Sequence, residues 1–363
     1  MKIKSVGRWL LTDEGFEKGF IRIQGEELLE VCLGSPPRDS AKAVILPTFV
    51  NAHVHTGDSV AFPAPKGTVK ELVAPPDGYK HRILASSSRE DKIKAIRSSL
   101  GLMAATGTGD FVDFREEGLE GVRMLRESLS PESPRPLVMG RPTTANPSES
   151  GLNELLEGCD GIGMSAVSDW PMDMLESLSR KARSAGKMFA LHVSESVRED
   201  IDEVLALRPD FVVHMTKAAA EDVRACSDRG VPIVVCPRSN EFYGSRPDIP
   251  MMLFSGAILA LGTDNCMISQ PDMFEEMRAA YRMCAQSKAL GPSEIVKLAT
   301  IGGRKVLKAK RNILTEYGEK GDLVAVRSGS GDPALELVTT AGPSMIDMVV
   351  RGGKIRRSKT CRK

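Results

Sequence analysis

The chain has 363 residues, enough for one large barrel domain or two ordinary domains, and 41% of them are hydrophobic, which can fill a sizeable core. Its 49 basic and 48 acidic residues nearly cancel, and neither sign gathers into a long block. Apart from a short basic tail at residues 354–363, this balance excludes an electrostatic footprint for nucleic acid or an anionic membrane.

The sequence carries no pattern typical of export or membrane insertion. Arg8, Asp13 and Glu14 interrupt the N-terminal stretch before a signal-peptide core could form, and no apolar run is long enough to span a bilayer. The seven cysteines include no C-x-x-C pair, and an odd number suits reduced thiols better than a disulfide framework. We therefore expect a cytoplasmic protein.

Taken in chain order, the apolar patterns predict β structure at both ends and βα units between them. Short alternating runs within residues 2–46 predict strands, and residues 321–356 show the same pattern. From about residue 47 to 311, short β-branched runs alternate with amphipathic stretches, which is typical of a parallel sheet. The predicted strands of this middle region are residues 49–51, 109–114, 137–140, 161–164, 188–192, 211–214, 233–236 and 257–261.

The stretch from residue 90 to 105 shows why the intervening pieces are predicted to be helices. Its apolar residues recur at three- and four-residue steps, namely Ile93, Ile96, Leu100 and Met103. Eight strands alternating with such helices predict an α/β fold, a (β/α)8 TIM-type barrel. The reactive groups of such a barrel lie at the carboxyl ends of its strands.

Four of the five histidines fall at or just after the end of a predicted strand: His53, His55, His192 and His214. His53 and His55 stand two residues apart on an extended backbone, so both rings point to one side and can hold one ion. Asp264 follows the eighth strand, where a carboxylate can complete a metal shell or accept a proton from bound water. Each feature alone has an ordinary structural alternative, such as a surface loop, a core histidine or a helix cap, but their joint pattern favours a metal site.

A resemblance to a known family adds to this interpretation. Residues 45–55 read ILPTFVNAHVH, which resembles the first-strand motif LPGFVNAHTH of the amidohydrolase superfamily, with Thr48 in place of the usual glycine. The resemblance covers nearly the whole chain and continues in residues 191–195 (LHVSE), 213–214 (VH), 236–240 (CPRSN), 262–264 (GTD), 321–324 (GDLV) and 349–355 (VVRGGKI).

The resemblance implies a domain organisation and a metal content. Residues 1–48 and 312–363 are expected to pair into a small β-sandwich beside a barrel formed by residues 49–311. In this superfamily a second metal usually requires a carboxylated lysine at the end of the fourth strand, and residues 161–167 contain no lysine. One divalent metal is therefore implied, with zinc preferred over iron or manganese, all of which suit a mixed nitrogen and oxygen shell.

The resemblance also implies a role for each candidate residue. The metal ligands of the cytosine, guanine and adenosine-type deaminases match four residues of this chain: His53, His55, His192 and Asp264. His214 matches their catalytic histidine on the sixth strand, and Asp264 is placed to take a proton from the metal-activated water. Glu195, three residues after His192, matches the glutamate that carries a proton to a ring nitrogen, although a first-turn glutamate favoured by the helix dipole is the structural alternative.

These roles imply hydrolytic deamination of an aminated N-heterocycle, either a purine or pyrimidine base or a nucleoside. A triazine-type chlorohydrolase is the nearest alternative, and a cyclic-amide hydrolase is disfavoured by the missing lysine. A catalytically inactive barrel that serves as a binding protein would be expected to lose ligands. The expected partner is a small N-heterocyclic molecule, with no nucleic acid or membrane, and a homo-oligomer stays open.

The residues that select the substrate are harder to identify. Residues 56–82, which follow the first strand, are expected to cover the site. Candidate substrate contacts are His81, Arg115, Arg141, Arg238 and Asn240. Arg115 and Arg141 follow the second and third strands and could meet an anionic or ribose-bearing substrate, with a salt-bridged surface arginine as the alternative.

Overall fold

The computed structural model describes residues 3–74, 77–144, 147–285, 287, 290–308, 317, 321–329 and 331–358. The strands fall into three groups along the chain. The N-terminal group is β1 (Ile3–Val6), β2 (Trp9–Leu11), β3 (Phe16–Gln24), β4 (Glu27–Leu33) and β5 (Ala43–Pro47). The middle group is β6 (Phe49–His55), β7 (Thr108–Arg115), β8 (Arg135–Gly140), β9 (Gly161–Met164), β10 (Met188–Val193), β11 (Phe211–His214), β12 (Ile233–Val235), β13 (Leu259–Leu261) and β14 (Asp264–Asn265). The C-terminal group is β15 (Leu323–Arg327), β16 (Ile346–Arg351) and β17 (Lys354–Ser358).

The middle strands form one parallel sheet in sequence order from β6 to β13, with β14 paired to β6. Because β13 and β14 belong to one continuous segment, that segment contacts β12 on one side and β6 on the other and brings the two edges of the sheet together. All eight predicted strands are present at their predicted places. The predicted TIM-type fold is thereby confirmed.

Helices follow the barrel strands and cover the outside of the sheet. The α-helices are α1 (Val69–Leu72), α2 (Tyr79–Ser86), α3 (Arg89–Ala105), α4 (Gly118–Ser128), α5 (Glu149–Gly158), α6 (Met172–Ser184), α7 (Ile201–Ala206), α8 (Ala220–Asp228), α9 (Pro237–Phe242), α10 (Ile249–Phe254), α11 (Met273–Cys284), α12 (Pro292–Lys297), α13 (Gly303–Val306) and α14 (Pro333–Thr339). Short 3-10 turns lie at Thr56–Ala61, Val167–Asp169 and Pro343–Met345, and a π-helical turn lies at Leu298–Gly302. None of the helices within the described residues is long and apolar enough to cross a membrane.

Helix α3 shows how local sequence sets these elements. The Ser88 side chain accepts a hydrogen bond from the backbone N–H of Asp91 and caps the first turn. The apolar residues predicted to share one face, from Ile93 to Met103, are buried against the sheet. Burial of this stripe stabilises the helix on the barrel, since an amphipathic helix gains most of its stability from packing.

The two ends of the chain fold into one β unit beside the barrel. Its strand order is β1-β3-β2-β5-β15-β16-β17-β4. Strand β4, at one end of this order, also pairs with β3 near the other end. Strand β15 is antiparallel to both β5 and β16, which joins the N-terminal and C-terminal groups directly. The predicted pairing of the two ends is confirmed. The exact domain limits at 48/49 and 311/312 stay predictions, and the second lies outside the described residues.

The barrel interior is filled by side chains and forms the floor of the candidate site. Alternate residues point inward, among them Phe114, Ala190, Phe211 and Val234, and all are fully buried. The ring of Phe114 lies edge-on to the ring of His53, with centroids 4.5 Å apart. The histidines therefore stand on an apolar layer at the carboxyl ends of the strands, where barrel enzymes carry their sites.

Candidate active site

Three barrel strands bring the four candidate ligands together. His53 and His55 lie on β6, His192 lies on β10, and Asp264 begins β14. One side-chain atom from each residue lies within 4.8 Å of the corresponding atoms of the other three. Nε2 of His53 is 3.2 Å from Oδ1 of Asp264. The two-residue spacing on a strand explains why both rings of β6 face this point.

The rings of His55 and His192 are held by their outer nitrogens. Nδ1 of His192 lies 2.7 Å from the carbonyl oxygen of Met164, which can only accept, so Nδ1 carries the hydrogen. Nδ1 of His55 lies 2.8 Å from a carboxylate oxygen of Glu116 and donates in the same way. The inner Nε2 atoms of both rings then present lone pairs toward the shared centre, as metal-binding histidines do.

This arrangement of donors fits a divalent metal. The two Nε2 atoms of His55 and His192 are only 3.4 Å apart, and facing lone pairs at that distance favour a bound cation. Burial lowers the pKa of His53 to about 3 and holds the pKa of His192 well below its usual range, so these imidazoles are neutral. Three imidazoles and one carboxylate form a shell typical of zinc and similar divalent metals.

Asp264 is ionised and fixed in place. Burial alone would raise the pKa of its carboxyl group, but the contact with Nε2 of His53 holds that pKa well below its usual range. The hydroxyl of Ser239 donates to Oδ2, which leaves Oδ1 toward the histidines. Its backbone φ of 57° is in the left-handed region, a strained conformation that is common at functional sites.

Glu195 and His214 form a second group beside the ligand set. Oε1 of Glu195 lies 3.6 Å from Nε2 of His214, and both residues have an atom within 4.8 Å of a carboxylate oxygen of Asp264. The side-chain amide of Asn240 donates to Nδ1 of His214 over 3.1 Å, so the ring hydrogen is on Nε2. Burial raises the pKa of Glu195, which favours its protonated form. The pair can therefore offer one transferable proton and one N–H donor.

Two residues that the sequence did not single out support His55. Oε1 of Glu116 accepts from Nδ1 of His55 and, over 2.7 Å, from Nζ of Lys80. Although burial opposes its ionisation, Lys80 and His55 hold the pKa of Glu116 well below its usual range. Glu116 lies just after the second predicted strand, two residues after Phe114, and residues two apart on a strand face the same side. This spacing was the feature of the sequence that could have identified Glu116.

A cavity of about 140 Å³ opens above the ligand set. His55, His192, His214, Asp264 and Glu195 face it. Its outer wall includes Val69, Val73 and Lys80 from the segment after β6, so residues 56–82 do cover part of the site.

Of the five candidate substrate contacts, Arg141 alone lines the cavity within the described part of the chain. Its Nε donates to the carbonyl oxygen of Gly163 over 3.4 Å, and its side chain is almost fully buried. Asn240 lies behind His214 and contacts it, so its structural position is that of a support for the histidine ring. Neither arrangement was evident from the sequence.

The other three candidates point elsewhere. Arg115 is fully buried and donates to Thr56 and Asp113, because strand alternation turns Phe114 into the barrel and Arg115 away from it. Arg238 is bound to Glu276 at 2.5 Å on helix α11. Nε2 of His81 lies 3.1 Å from the carbonyl oxygen of Val73. These contacts give the three side chains structural partners outside the cavity.

Comparisons with known proteins agree with this architecture. Residues 44–356 match the model of the amidohydrolase family. A candidate aminohydrolase of Methanothermobacter thermautotrophicus is 32% identical, with 88% of each chain covered. The 5-methylthioadenosine/S-adenosylhomocysteine deaminase of Pelotomaculum thermopropionicum is 26% identical, with 97% of this chain and 92% of the relative covered.

Solved structures show the same fold. An adenosine deaminase from Xanthomonas campestris with bound zinc superposes with a TM-score of 0.79 at 17% identity, covering 98% of this chain and 93% of that chain. A zinc-containing atrazine chlorohydrolase from Arthrobacter aurescens has a TM-score of 0.74 at 15% identity, covering 99% and 95%. At such identities the likeness concerns the fold alone.

Proposed function

Because the chain belongs to the amidohydrolase family and is a hydrolase of that family, we propose that it catalyses hydrolytic deamination of an aminated N-heterocycle. The position of Glu195 is the observation that supports this proposal most directly. Its carboxyl group faces the cavity beside the ligand set and lies 3.6 Å from His214. A proton donor at this point can protonate the ring nitrogen, and deamination requires this because a neutral amine leaves poorly unless the ring nitrogen and then the amine are protonated.

We propose one divalent metal, zinc by preference, held by His53, His55, His192 and Asp264. Their geometry supports this ligand set, as do the zinc-containing structures of the same fold. A metal in this position lowers the pKa of a water molecule toward neutrality and so supplies a nucleophile. Within β9 no lysine is present to support a second metal of the carboxylated-lysine type.

The chain's own residues then account for each proton. The carboxylate of Asp264 accepts a proton from the attacking water and later passes it to the departing amine. Protonated Glu195 gives its proton to the adjacent ring nitrogen. The N–H at Nε2 of His214 donates to the oxygen in the tetrahedral intermediate. When the carbon–nitrogen bond breaks, the oxygen loses its remaining proton to Glu195, and ammonia and a ring carbonyl are the products.

The substrate proposed is a small heterocycle. The cavity of about 140 Å³ is smaller than the roughly 300–1,000 Å³ of pockets for drug-sized ligands. Arg141 remains the candidate for contact with a substrate anion or ribose, because its guanidinium lines the cavity. The similarity to a 5-methylthioadenosine/S-adenosylhomocysteine deaminase supports an aminated purine as the first class of substrate to examine.

The test is a screen for ammonia release by zinc-loaded protein. Aminated purines, pyrimidines, pterins and their nucleosides are incubated with wild-type protein and with His192→Ala as the matched control. Ammonia release from at least one compound, absent in the control, is the expected result. No ammonia from any of them, together with chloride release from chlorinated triazines, would favour the chlorohydrolase alternative.

A further inference from the structure

A buried chain of contacts connects the cavity wall to one candidate metal ligand. Nζ of Lys80 donates to Oε1 of Glu116 over 2.7 Å, and Nδ1 of His55 donates to the same oxygen over 2.8 Å. The side chains of Lys80, Glu116 and His55 are only 3%, 4% and 2% exposed. Lys80 also lines the cavity, so this series of contacts begins at the substrate space and ends at the candidate metal centre.

The carboxylate depends on both donors. Oε2 of Glu116 has no hydrogen-bond partner within the described residues. Oε1 accepts the hydrogen bonds from both His55 and Lys80. A carboxylate buried in this way needs a positive partner, because an unpaired buried charge is strongly destabilising. Lys80 supplies that charge. Without it, no ion pair with Lys80 would stabilise Glu116 in the position that orients His55.

The three residues come from separate parts of the fold. His55 ends β6, Glu116 follows β7, and Lys80 lies in α2, within the segment that forms the outer wall of the cavity. The contacts therefore tie this wall to the orientation of a ligand ring. Metal-binding histidines commonly donate their outer N–H to a carboxylate, and that hydrogen bond fixes the ring and raises its basicity.

A neighbouring ion pair shows what an ordinary lysine and glutamate pair looks like here. Lys92 of α3 binds Glu117, the residue directly after Glu116. Within the described part of the protein, neither residue of this pair lines the cavity or contacts a candidate metal ligand. The two pairs thus differ in contact with His55, in whether the lysine lines the cavity, and in burial, since the side chain of Glu117 is 25% exposed and that of Glu116 only 4%.

We propose that Glu116 and Lys80 are positioning residues for His55: the carboxylate orients the ring through Nδ1, and the cavity-facing ammonium holds the carboxylate. This inference rests on the proposed role of His55 as a metal ligand. It assigns the outer wall of the cavity a part in metal retention in addition to any part in substrate contact.

The experiment measures the rate at which zinc-loaded, full-length protein loses Zn²⁺ to an excess of chelator. The variants are Glu116→Gln and Lys80→Met, with Glu117→Gln and Lys92→Met as matched controls. We expect Glu116→Gln and Lys80→Met to release zinc at least about 10-fold faster, the usual scale for loss of a group that orients a ligand. The controls should release zinc at the wild-type rate, and Lys80→Arg, which keeps the cation, should restore much of the retention.

A second readout separates orientation of His55 from general loosening of the fold. The visible absorption of Co²⁺-loaded protein reports ligand geometry, and it should change in Glu116→Gln while staying unchanged in Glu117→Gln. Melting temperatures of the metal-free proteins identify any variant that fails to fold. Wild-type zinc release and an unchanged cobalt spectrum in Glu116→Gln and Lys80→Met would overturn the inference alone. A wild-type protein that takes up no divalent metal would overturn the proposed function and this inference with it.

Discussion

Nε2 of His55 and Nε2 of His192 face each other across 3.4 Å, although both rings carry their hydrogen on the opposite nitrogen. Their rings stack, although the two residues lie 137 positions apart in sequence. Two lone pairs at this distance repel each other, and a bound cation would relieve that repulsion. The pair therefore defines the centre of the candidate metal site and explains why the surrounding donors converge on it.

The first prediction is one tightly held metal per chain, because three imidazoles and one carboxylate form one four-donor set and β9 carries no lysine for a second metal of the carboxylated-lysine type. His53→Ala and His192→Ala should each lose the metal, since each removes one of four donors. Elemental analysis after dialysis measures this. His81→Ala is the matched control and should keep full occupancy, because its ring is bound to the carbonyl of Val73. Two metals per wild-type chain, or full occupancy in His53→Ala or His192→Ala, would contradict the assignment.

The second prediction concerns Asn240, which supports His214 from behind. Without the amide donor the imidazole can place its hydrogen on either nitrogen, so the Nε2–H is no longer guaranteed toward the cavity. We expect Asn240→Ala to lower kcat about 10-fold, less than the roughly 100–1,000-fold loss of an oxyanion donor itself. KM and metal content should stay near wild type. An unchanged kcat would show that Asn240 does not set the ring of His214.

The third prediction tests the β unit formed by the two chain ends. Deletion of residues 321–363 removes β15, which pairs with both β5 and β16, and exposes apolar residues such as Leu10 and Ile45. The truncated protein should melt at a lower temperature and lose solubility. A protein ending at residue 358 keeps every described strand and is the control. Wild-type melting and solubility after the longer deletion would show that the two ends do not stabilise each other.

Much of the fold was predictable because buried parallel strands are short apolar runs. The ends of β6 were harder to predict, since polar His53 and His55 interrupt the apolar pattern of that strand. The ligand positions followed from strand parity and from the family resemblance. A left-handed backbone at His214, with φ of 77°, and at Asp264 leaves no signature in the residue types.

The supporting residues could not be predicted because their contacts join distant segments. Lys80 and Glu116 lie 36 residues apart, and His55 and Glu116 lie 61 residues apart. Arg115 shows the converse case, since its position after a strand suggested a substrate contact. Strand parity turned it outward, and a Cβ on Gly57 would lie 2.2 Å from its guanidinium, so that glycine provides the space it occupies.

We expect Glu195 to carry the proton that deamination requires. Glu195→Gln keeps the shape of the side chain but cannot transfer a proton. We expect retained zinc and near-normal KM, with ammonia release lowered at least about 100-fold, the usual scale for a positioned acid or base.

The most direct measurement compares two leaving groups on one heterocycle, in wild-type protein and in Glu195→Gln. Amino and chloro forms of the substrate found in the screen are assayed side by side for ammonia and chloride release. Chloride leaves without protonation, so the variant should lose much more activity toward the amino form than toward the chloro form. Ammonia release by Glu195→Gln at close to the wild-type rate would contradict the assignment of Glu195 and favour a chlorohydrolase.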